Sequence, residues 1–434
     1  MIGEFVKMVQ ILLPYGKNEI PVEIAEENLL GIYYPKQVVD QTDEQHIMQF
    51  AIQNPIGSAP LREIVHRGQK VAIVTSDLTR PTPTERMLPF IAAELEAAGI
   101  PDEDVFLVLA LGLHRPMDPE EMQKAVSRPF IQRYRIINHD PSEVLRIGVT
   151  RRGTPVDIFR PLVEADVRIC LGNIEFHYFA GFSGGAKAIL PGCASRETVT
   201  ANHSWMVYPQ ASAMRIEGNP VREDLEEGAA MVGVDFIFNV IVDGSHRIVG
   251  AYAGDVIAAH RRGCQAVIER GTVDIPYQGD IIIASAGGYP KDINLYQAHK
   301  GLENAKYFVR EGGEIILVAE CIEGFGNKMM ESWMREIPSA DAVLEKIKKG
   351  FVLGGHKAAA IALIEKHASI SLVSSLDDTT VRQIRWFPFP TVQTALNEAL
   401  IRIGEDAKVI VLPQAGSILP KVKDDKVKSE IAIR

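Results

Sequence analysis

Three side chains able to do chemistry lie within one glycine-rich stretch, residues 172–203: His177, Lys187 and His203. The stretch reads GNIEFHYFAGFSGGAKAILPGCASRETVTANH, with glycines at Gly172, Gly181, Gly184, Gly185 and Gly192. Lys187 comes ten residues after His177 and sixteen before His203. Glycines allow left-handed backbone angles and a close approach of the chain to a ligand. A lysine inside such a loop is a phosphate contact or a nucleophile. The Walker phosphate loop is excluded, because it needs Gly-Lys-Ser/Thr and Lys187 stands between Ala186 and Ala188. A glycine-rich surface loop with a solvated lysine is the plain alternative.

Other candidates sit in separate loops. His114 and Arg115 follow an apolar run, in GLHRPM, residues 112–117. Histidines titrate near neutral pH and suit general acid and base roles, although a lone histidine is more often structural. Asp77 and Arg80 lie in SDLTRPTP, residues 76–83. The planar fork of arginine suits a carboxylate or phosphate held at two points. Tyr296, Gln297 and Lys300 fall near the start of a helix that follows Gly287 and Gly288. A helix N-terminus with Lys and Gln nearby suits a carboxylate, and an ordinary amphipathic helix gives the same pattern. His299 is next to Lys300 and faces elsewhere on a helix, so it is left outside the site.

No His/Cys/Asp/Glu cluster has metal-ligand spacing, and one histidine cannot hold a metal by itself. Cys170, Cys193, Cys264 and Cys321 are far apart and form no CxxC pair. That argues against a zinc site or a disulfide framework and fits a reducing cytoplasm.

The elements that must position these residues follow from the pattern. The 434 residues are enough for two or three domains, and 46% hydrophobic with 24% charged residues is the make-up of a globular protein. The net charge is −10 with no basic block, so nucleic acid is not expected as a partner. No apolar run is long enough to span a membrane. The start, MIGEFVKMVQILLPYGK, has no basic leader and reads as a first strand. Residues 8–34 alternate apolar and polar positions, as a β-hairpin does. Residues 42–66 read as helical with a break near Pro55. Lys70 to Thr75, Val105 to Leu111 and Val167 to Leu171 read as buried strands, each followed by a polar loop, with helices over 84–98 and from Pro119. Residues 221–271 look helical for long stretches, with one strand near Phe236 to Val242. The turn-rich GTVDIPYQG, residues 271–279, marks a boundary, and Asp280 to Ser285 opens a second α/β unit. Ile315 to Ala319 and Val409 to Leu412 are further strands, and 341–366 has helical spacing around a central GGHK.

The expected fold is α/β, with two domains that each hold a mostly parallel sheet flanked by helices. The expected domains are 1–275 and 276–414, with 415–434 packing back on the first domain or staying loose. Ligands bind such sheets beyond the carboxyl ends of the strands. The loops there carry Asp77 and Arg80, His114 and Arg115, and His177 and Lys187, so their chemistry converges on one sheet edge.

The stretch 172–203 and the loops just quoted resemble the nickel-pincer lactate racemase family. The resemblance covers most of the chain, with separated motifs matching in order. It implies that Lys187 carries a pyridinium-3-thioamide-5-thiocarboxylic acid mononucleotide through a thioamide, and that His203 completes the coordination of its nickel. It further implies that His114 and His177 are catalytic acid/bases. Asp77, Arg80, Gly184 and Gly185 would contact the cofactor. Arg80, Tyr296, Gln297 and Lys300 would bind substrate in an interdomain cleft. The implied reaction interconverts the C2 epimers of a 2-hydroxy acid by hydride transfer to the pyridinium ring and back, and it needs cofactor-making enzymes as partners. One departure stands out. The family carries a Trp by the substrate in the second domain. Trp333 and Trp386 fall at other distances, and GGHKAAAIA offers only small residues there. This points to 2-hydroxy acids as a class, the substrate being lactate or a related 2-hydroxy acid. A dehydrogenase using free NAD would need a GxGxxG turn, which Gly181 to Gly185 does not give. A non-catalytic nucleotide or carboxylate binder would keep the basic loops without needing both histidines.

Overall fold

The structure, a computed structural model, describes residues 7–36, 43–78, 80–243 and 246–422. The chain forms two compact units: Val39–Glu269, and Met1–Val38 together with Arg270–Arg434.

The unit Val39–Glu269 is built on a six-stranded sheet in the order Ile248–Gly254, Phe236–Val242, Val167–Asn173, Val71–Ser76, Val105–Ala110, Arg135–Asn138. All neighbours pair in parallel except the edge strand Ile248–Gly254. Val71, Ala72, Ile73 and Val74 are all fully buried, so both faces of the central strand are covered, as parallel sheets require. The chain starts in the middle at Val71–Ser76 and runs outward to Arg135–Asn138. It then returns to Val167–Asn173 on the other side of the first strand. Loops leaving the carboxyl ends at such a reversal diverge and leave a crevice. Here those loops are residues 77–83 and 174–195, which carry Asp77, Arg80, His177 and Lys187. The helices used below are α1 (Thr84–Ala97), α2 (Arg196–Ser204), α3 (Pro220–Val232) and α4 (Ala258–Gly271). The edge strand Ile248–Gly254 falls in a stretch expected to be mainly helical. Its short apolar run, with glycine at 250 and 254, carries no period that separates strand from helix.

The second unit holds another six-stranded sheet, in the order Phe387–Phe389, Ser369–Val373, Val309–Val318, Gly279–Ser285, Val409–Leu412, Leu29–Ile32, parallel throughout. Its helices include α5 (Leu295–Ala305), α6 (Lys328–Glu336), α7 (Gly355–Glu365) and α8 (Val392–Ile403). The order reverses between Gly279–Ser285 and Val409–Leu412, so this sheet has its own switch point. The turn at Ala415–Ser417 packs there against α5: Asn304 Nδ2 donates to the Ala415 carbonyl at 3.1 Å.

The expected domain limits are redrawn. Residues 1–275 do not form one unit. The hairpin Met8–Tyr15 with Asn18–Ala25 buries Ile11, Leu13, Val22 and Ile24 against Ile281, Ile283 and Ile316 of the second unit. Leu29–Ile32 adds the edge strand beside Val409–Leu412. Alternation in a sequence shows that one face of a strand is buried, and says nothing of which sheet buries it. The boundary segment 271–279 contains a strand, Thr272–Ile275, paired in parallel with Leu419–Val422. The chain end, expected to pack on the first domain or to stay loose, pairs within the second unit as far as 422. Residues 423–434 lie outside the described residues, as does Thr79 of the Asp77–Arg80 loop. Among the described residues, no helix is long and apolar enough to cross a membrane.

Candidate active site

Beyond Val167–Asn173 the chain makes a tight hairpin, Phe176–His177 with Gly181–Phe182, and then a single helical turn, Gly185–Ala188. Ser183 fastens this hairpin. Its Oγ donates to the Asn173 carbonyl at 2.7 Å and accepts the Glu175 amide at 2.9 Å. Gly184 and Gly185 have φ of +71° and +58°. A Cβ at Gly184 would lie 2.7 Å from Asn239 Oδ1, and one at Gly185 would lie 2.8 Å from the His260 ring. Only glycine fits both the angle and the space. Asn239 Oδ1 accepts the Gly185 amide at 2.7 Å, which fixes the turn that carries Lys187.

Two buried side chains from distant elements hold the same segment. Arg222 of α3, 0% exposed, donates from Nε to the Ala180 carbonyl at 3.0 Å and from Nη2 to the Phe182 carbonyl. His260 of α4 donates from Nε2 to the Ser183 carbonyl at 2.8 Å. Burial first, and the Arg222 charge second, hold the His260 imidazole well below its usual range, so the ring is neutral. Burial likewise pushes the Lys187 amine well below the usual lysine range. The charges of Arg222 and Arg80 act the same way, and Glu175 acts against them.

His177, Lys187 and His203 gather around one ring. Phe179 lies 4.5 Å from His177 and 5.0 Å from His203 between ring centroids, with Lys187 Nζ 5.7 Å from its centroid. The histidine tautomers follow from their partners. His203, in the last turn of α2, gives its Nδ1 hydrogen to Asn202 Oδ1 at 3.0 Å. Asn202 is in turn fixed through its amide nitrogen, which donates to Asp224 Oδ2 at 2.8 Å and to the Val221 carbonyl at 3.1 Å. This places the His203 lone pair on Nε2. His177 Nδ1 accepts the Ala180 amide at 3.2 Å, which places its hydrogen on Nε2.

His114 sits on the neighbouring loop. The Gly112 amide donates to the Gly192 carbonyl at 2.9 Å, which ties that loop to the glycine segment. His114 Nδ1 lies 2.5 Å from Asp77 Oδ2, and the Asp77 carboxylate is buried. Asp77, expected to contact the cofactor, thus also orients His114. The exposed Arg80 donates its backbone amide to the Asp77 carbonyl at 3.2 Å, and its charge acts on Lys187.

In the second unit, Asn294 caps α5 by accepting the Gln297 amide at 3.0 Å. Tyr296 and Gln297 are partly exposed and Lys300 is exposed, with its Cβ against Gly416 at the switch point. His299 is fully buried, facing away from Lys300 as expected of adjacent helical residues. Among the described residues, no group of three or more His, Cys, Asp and Glu side chains could hold a metal. Sequence reasoning missed Phe179, Asn202, Arg222, Asn239 and His260. All but Phe179 and Asn202 come from elements far along the chain, and none lies in a motif of its own.

Residues 15–214 match the family model of the lactate racemase N-terminal domain, and residues 275–419 that of the lactate racemase C-terminal domain. The chain is 33% identical over 428 residues to the lactate racemase of Thermoanaerobacterium thermosaccharolyticum, covering 96% of this chain and 100% of that one. It is 33% identical over 426 residues to the lactate racemase of Lactiplantibacillus plantarum, covering 95% and 100%. The lactate racemase apoprotein structure from T. thermosaccharolyticum superposes with a TM-score of 0.86 at 32% identity, over 95% of this chain and 100% of that one. A Thermotoga maritima protein shares the fold, with a TM-score of 0.61 at 19% identity over 90% of this chain and 100% of that one. Both domain matches and the identity along nearly the whole length make this chain a member of the lactate racemase family, and so an isomerase.

Proposed function

We propose that this chain racemises a 2-hydroxy acid of the lactate kind with a nickel-pincer nucleotide carried on Lys187. The observation that carries this reading is the gathering of His177, Lys187 and His203 around Phe179 at a sheet switch point. The residues fit the group. An amine biased toward its neutral form, on a lysine that is only partly exposed, is a nucleophile. His203, with Nδ1 engaged by Asn202, offers Nε2 as a metal ligand. With no ligand cluster among the described residues, a nickel ion there would take most of its donors from the nucleotide. When bound, that nucleotide supplies the hydride acceptor and the soft sulfur donors.

The chain's own residues supply position and protons. Gly184 and Gly185 let the backbone approach the nucleotide closely. Inversion at C2 needs one proton carrier for each face of a planar keto acid. His114, held by Asp77 at Nδ1, accepts the substrate hydroxyl proton at Nε2. His177 serves the other face from its own Nε2, since its Nδ1 faces the Ala180 amide. Arg80, Tyr296, Gln297 and Lys300 supply donors for the substrate carboxylate. Enzymes that build the nucleotide are the implied partners. The four thiols, all free and buried, suit a cytoplasmic protein.

The test is an intact mass and nickel analysis after expression alongside the cofactor-making enzymes. Wild-type protein should gain one nucleotide adduct and nickel, and Lys187→Ala neither. His114→Ala and His177→Ala should keep both and lose turnover by about 10²- to 10⁴-fold in both directions. An adduct retained by Lys187→Ala would sink the attachment assignment. Near-normal turnover in either histidine variant would make that histidine structural.

A further inference from the structure

The stretch GGHKAAAIA, taken above for small residues, puts two charged-type side chains at the start of α7: His356 and Lys357. Both are buried, at 7% and 8% exposure. Lys357 Nζ lies 2.9 Å from Nε2 of the buried His299, on α5. The direction of this bond is decided by His299. Its Nδ1 hydrogen goes to the Tyr296 carbonyl at 2.9 Å, so Nε2 accepts and Lys357 donates. Burial and the Lys357 charge hold the imidazole well below its usual range, which keeps it an acceptor. Lys357 Nζ also lies 5.5 Å from the centroid of the Tyr296 ring. The lysine is therefore fixed on the same helix turns that present Tyr296, Gln297 and Lys300.

Several cationic side chains meet here. Lys357 foremost, then Lys300 and His356, act against a charge on the His299 ring. Three helices also begin side by side here. A Cβ on Gly326 would collide with Asn294, the cap of α5, and one on Gly354 with Asn327, the cap of α6. Gly354 itself opens α7. Each helix start adds a partial positive charge.

A 2-hydroxy monocarboxylate such as lactate has one negative charge, and Lys300 with Gln297 answers it. Lys357 is a further cation, 5.5 Å from the ring of Tyr296, the third residue of that set. We propose that Lys357, seated on His299, is a specificity-determining residue that binds a second carboxylate, so that the preferred substrate is a 2-hydroxy dicarboxylate. This rests on the substrate role given to Tyr296, Gln297 and Lys300 under the proposed function.

The test is titration calorimetry on the full chain with its adduct verified by mass, using lactate, 2-hydroxybutyrate, 2-hydroxysuccinate and 2-hydroxyglutarate. At least one dicarboxylate should bind roughly tenfold or more tighter than lactate and 2-hydroxybutyrate. Lys357→Met should remove that preference and leave lactate affinity within about threefold. Wild-type protein that binds lactate as tightly as both dicarboxylates overturns the inference, whether or not the variant folds. So does a dicarboxylate preference that survives Lys357→Met. The same panel on Lys187→Ala protein, which lacks the adduct, reads anion preference apart from racemisation. A failed adduct with an intact dicarboxylate preference would sink the nucleotide reading and leave this one standing.

Discussion

Lys187 shows how a loop makes a lysine useful. Water is removed from its amine, Arg222 and Arg80 repel its proton, and Glu175 only partly restores it. The unfolded chain has an ordinary lysine, charged up to about 10.5. Between the lowered folded value and 10.5 the unfolded state binds the extra proton, so this group makes stability rise with pH. Lys187→Met apoprotein lacks that penalty. It should melt above wild-type apoprotein at neutral pH, and the gap should narrow as pH climbs toward 10. A gap that stays constant in scanning calorimetry from about pH 7 to 10 would mean that the folded amine is charged. The histidines show the same dependence on neighbours. Their spacing to Lys187 is visible in the chain, while the nitrogen each one uses is set by Asn202, Ala180 and Asp77.

At the scale of elements, the glycine segment cannot hold its shape alone. Its carbonyls at Ala180, Phe182 and Ser183 point to donors on α3 and α4. Arg222 is fully buried and reaches two of them, a geometry that the fork of arginine permits and a lysine cannot copy. Its ion pair with Glu226, at 3.5 Å, is shared with Arg261 at 2.7 Å, so removing Arg222 does not leave that carboxylate bare. Arg222→Leu should still destabilise the chain by about 2–4 kcal/mol through the lost carbonyl partners. It should also lower the fraction of protein that acquires the Lys187 adduct. Denaturant melts and intact mass check both. A variant with wild-type stability and full adduct would show that the segment is held by other contacts.

At the scale of the whole molecule, one unit is an insertion in the sequence of the other: the first strands come before Val39–Glu269, and the rest of their unit follows from Arg270. The hairpin Met8–Ala25 and the edge strand Leu29–Ile32 cover apolar surface of the second sheet that its own segment leaves bare. A chain beginning at residue 39 should therefore lose the second unit's cooperative melt and aggregate through the Val409–Leu412 edge. The unit Val39–Glu269, whose sheet and core are its own, should keep protease protection. Limited proteolysis with mass mapping reads both halves. Equal protection of the two units would show that the N-terminal strands are dispensable.

Local pattern was enough for much of this protein. Strand, polar loop and helix followed from apolar runs and their breaks, because burial on both faces of a parallel strand leaves an unmistakable run such as Val71 to Val74. The residues at the ends of those runs followed too, because a parallel sheet exposes only its carboxyl edge to a ligand. The sequence also carried the spacing of His177, Lys187 and His203, which ties the chain to its family. Tertiary structure alone decided where the N-terminal hairpin packs, since alternation names a buried face and not its partner. It alone brought Arg222, Asn239 and His260 under the glycine segment, across gaps in the chain that no period spans. It alone turned His299 from a bystander into the seat of Lys357, because a helix position gives a direction, and only packing supplies what lies in that direction.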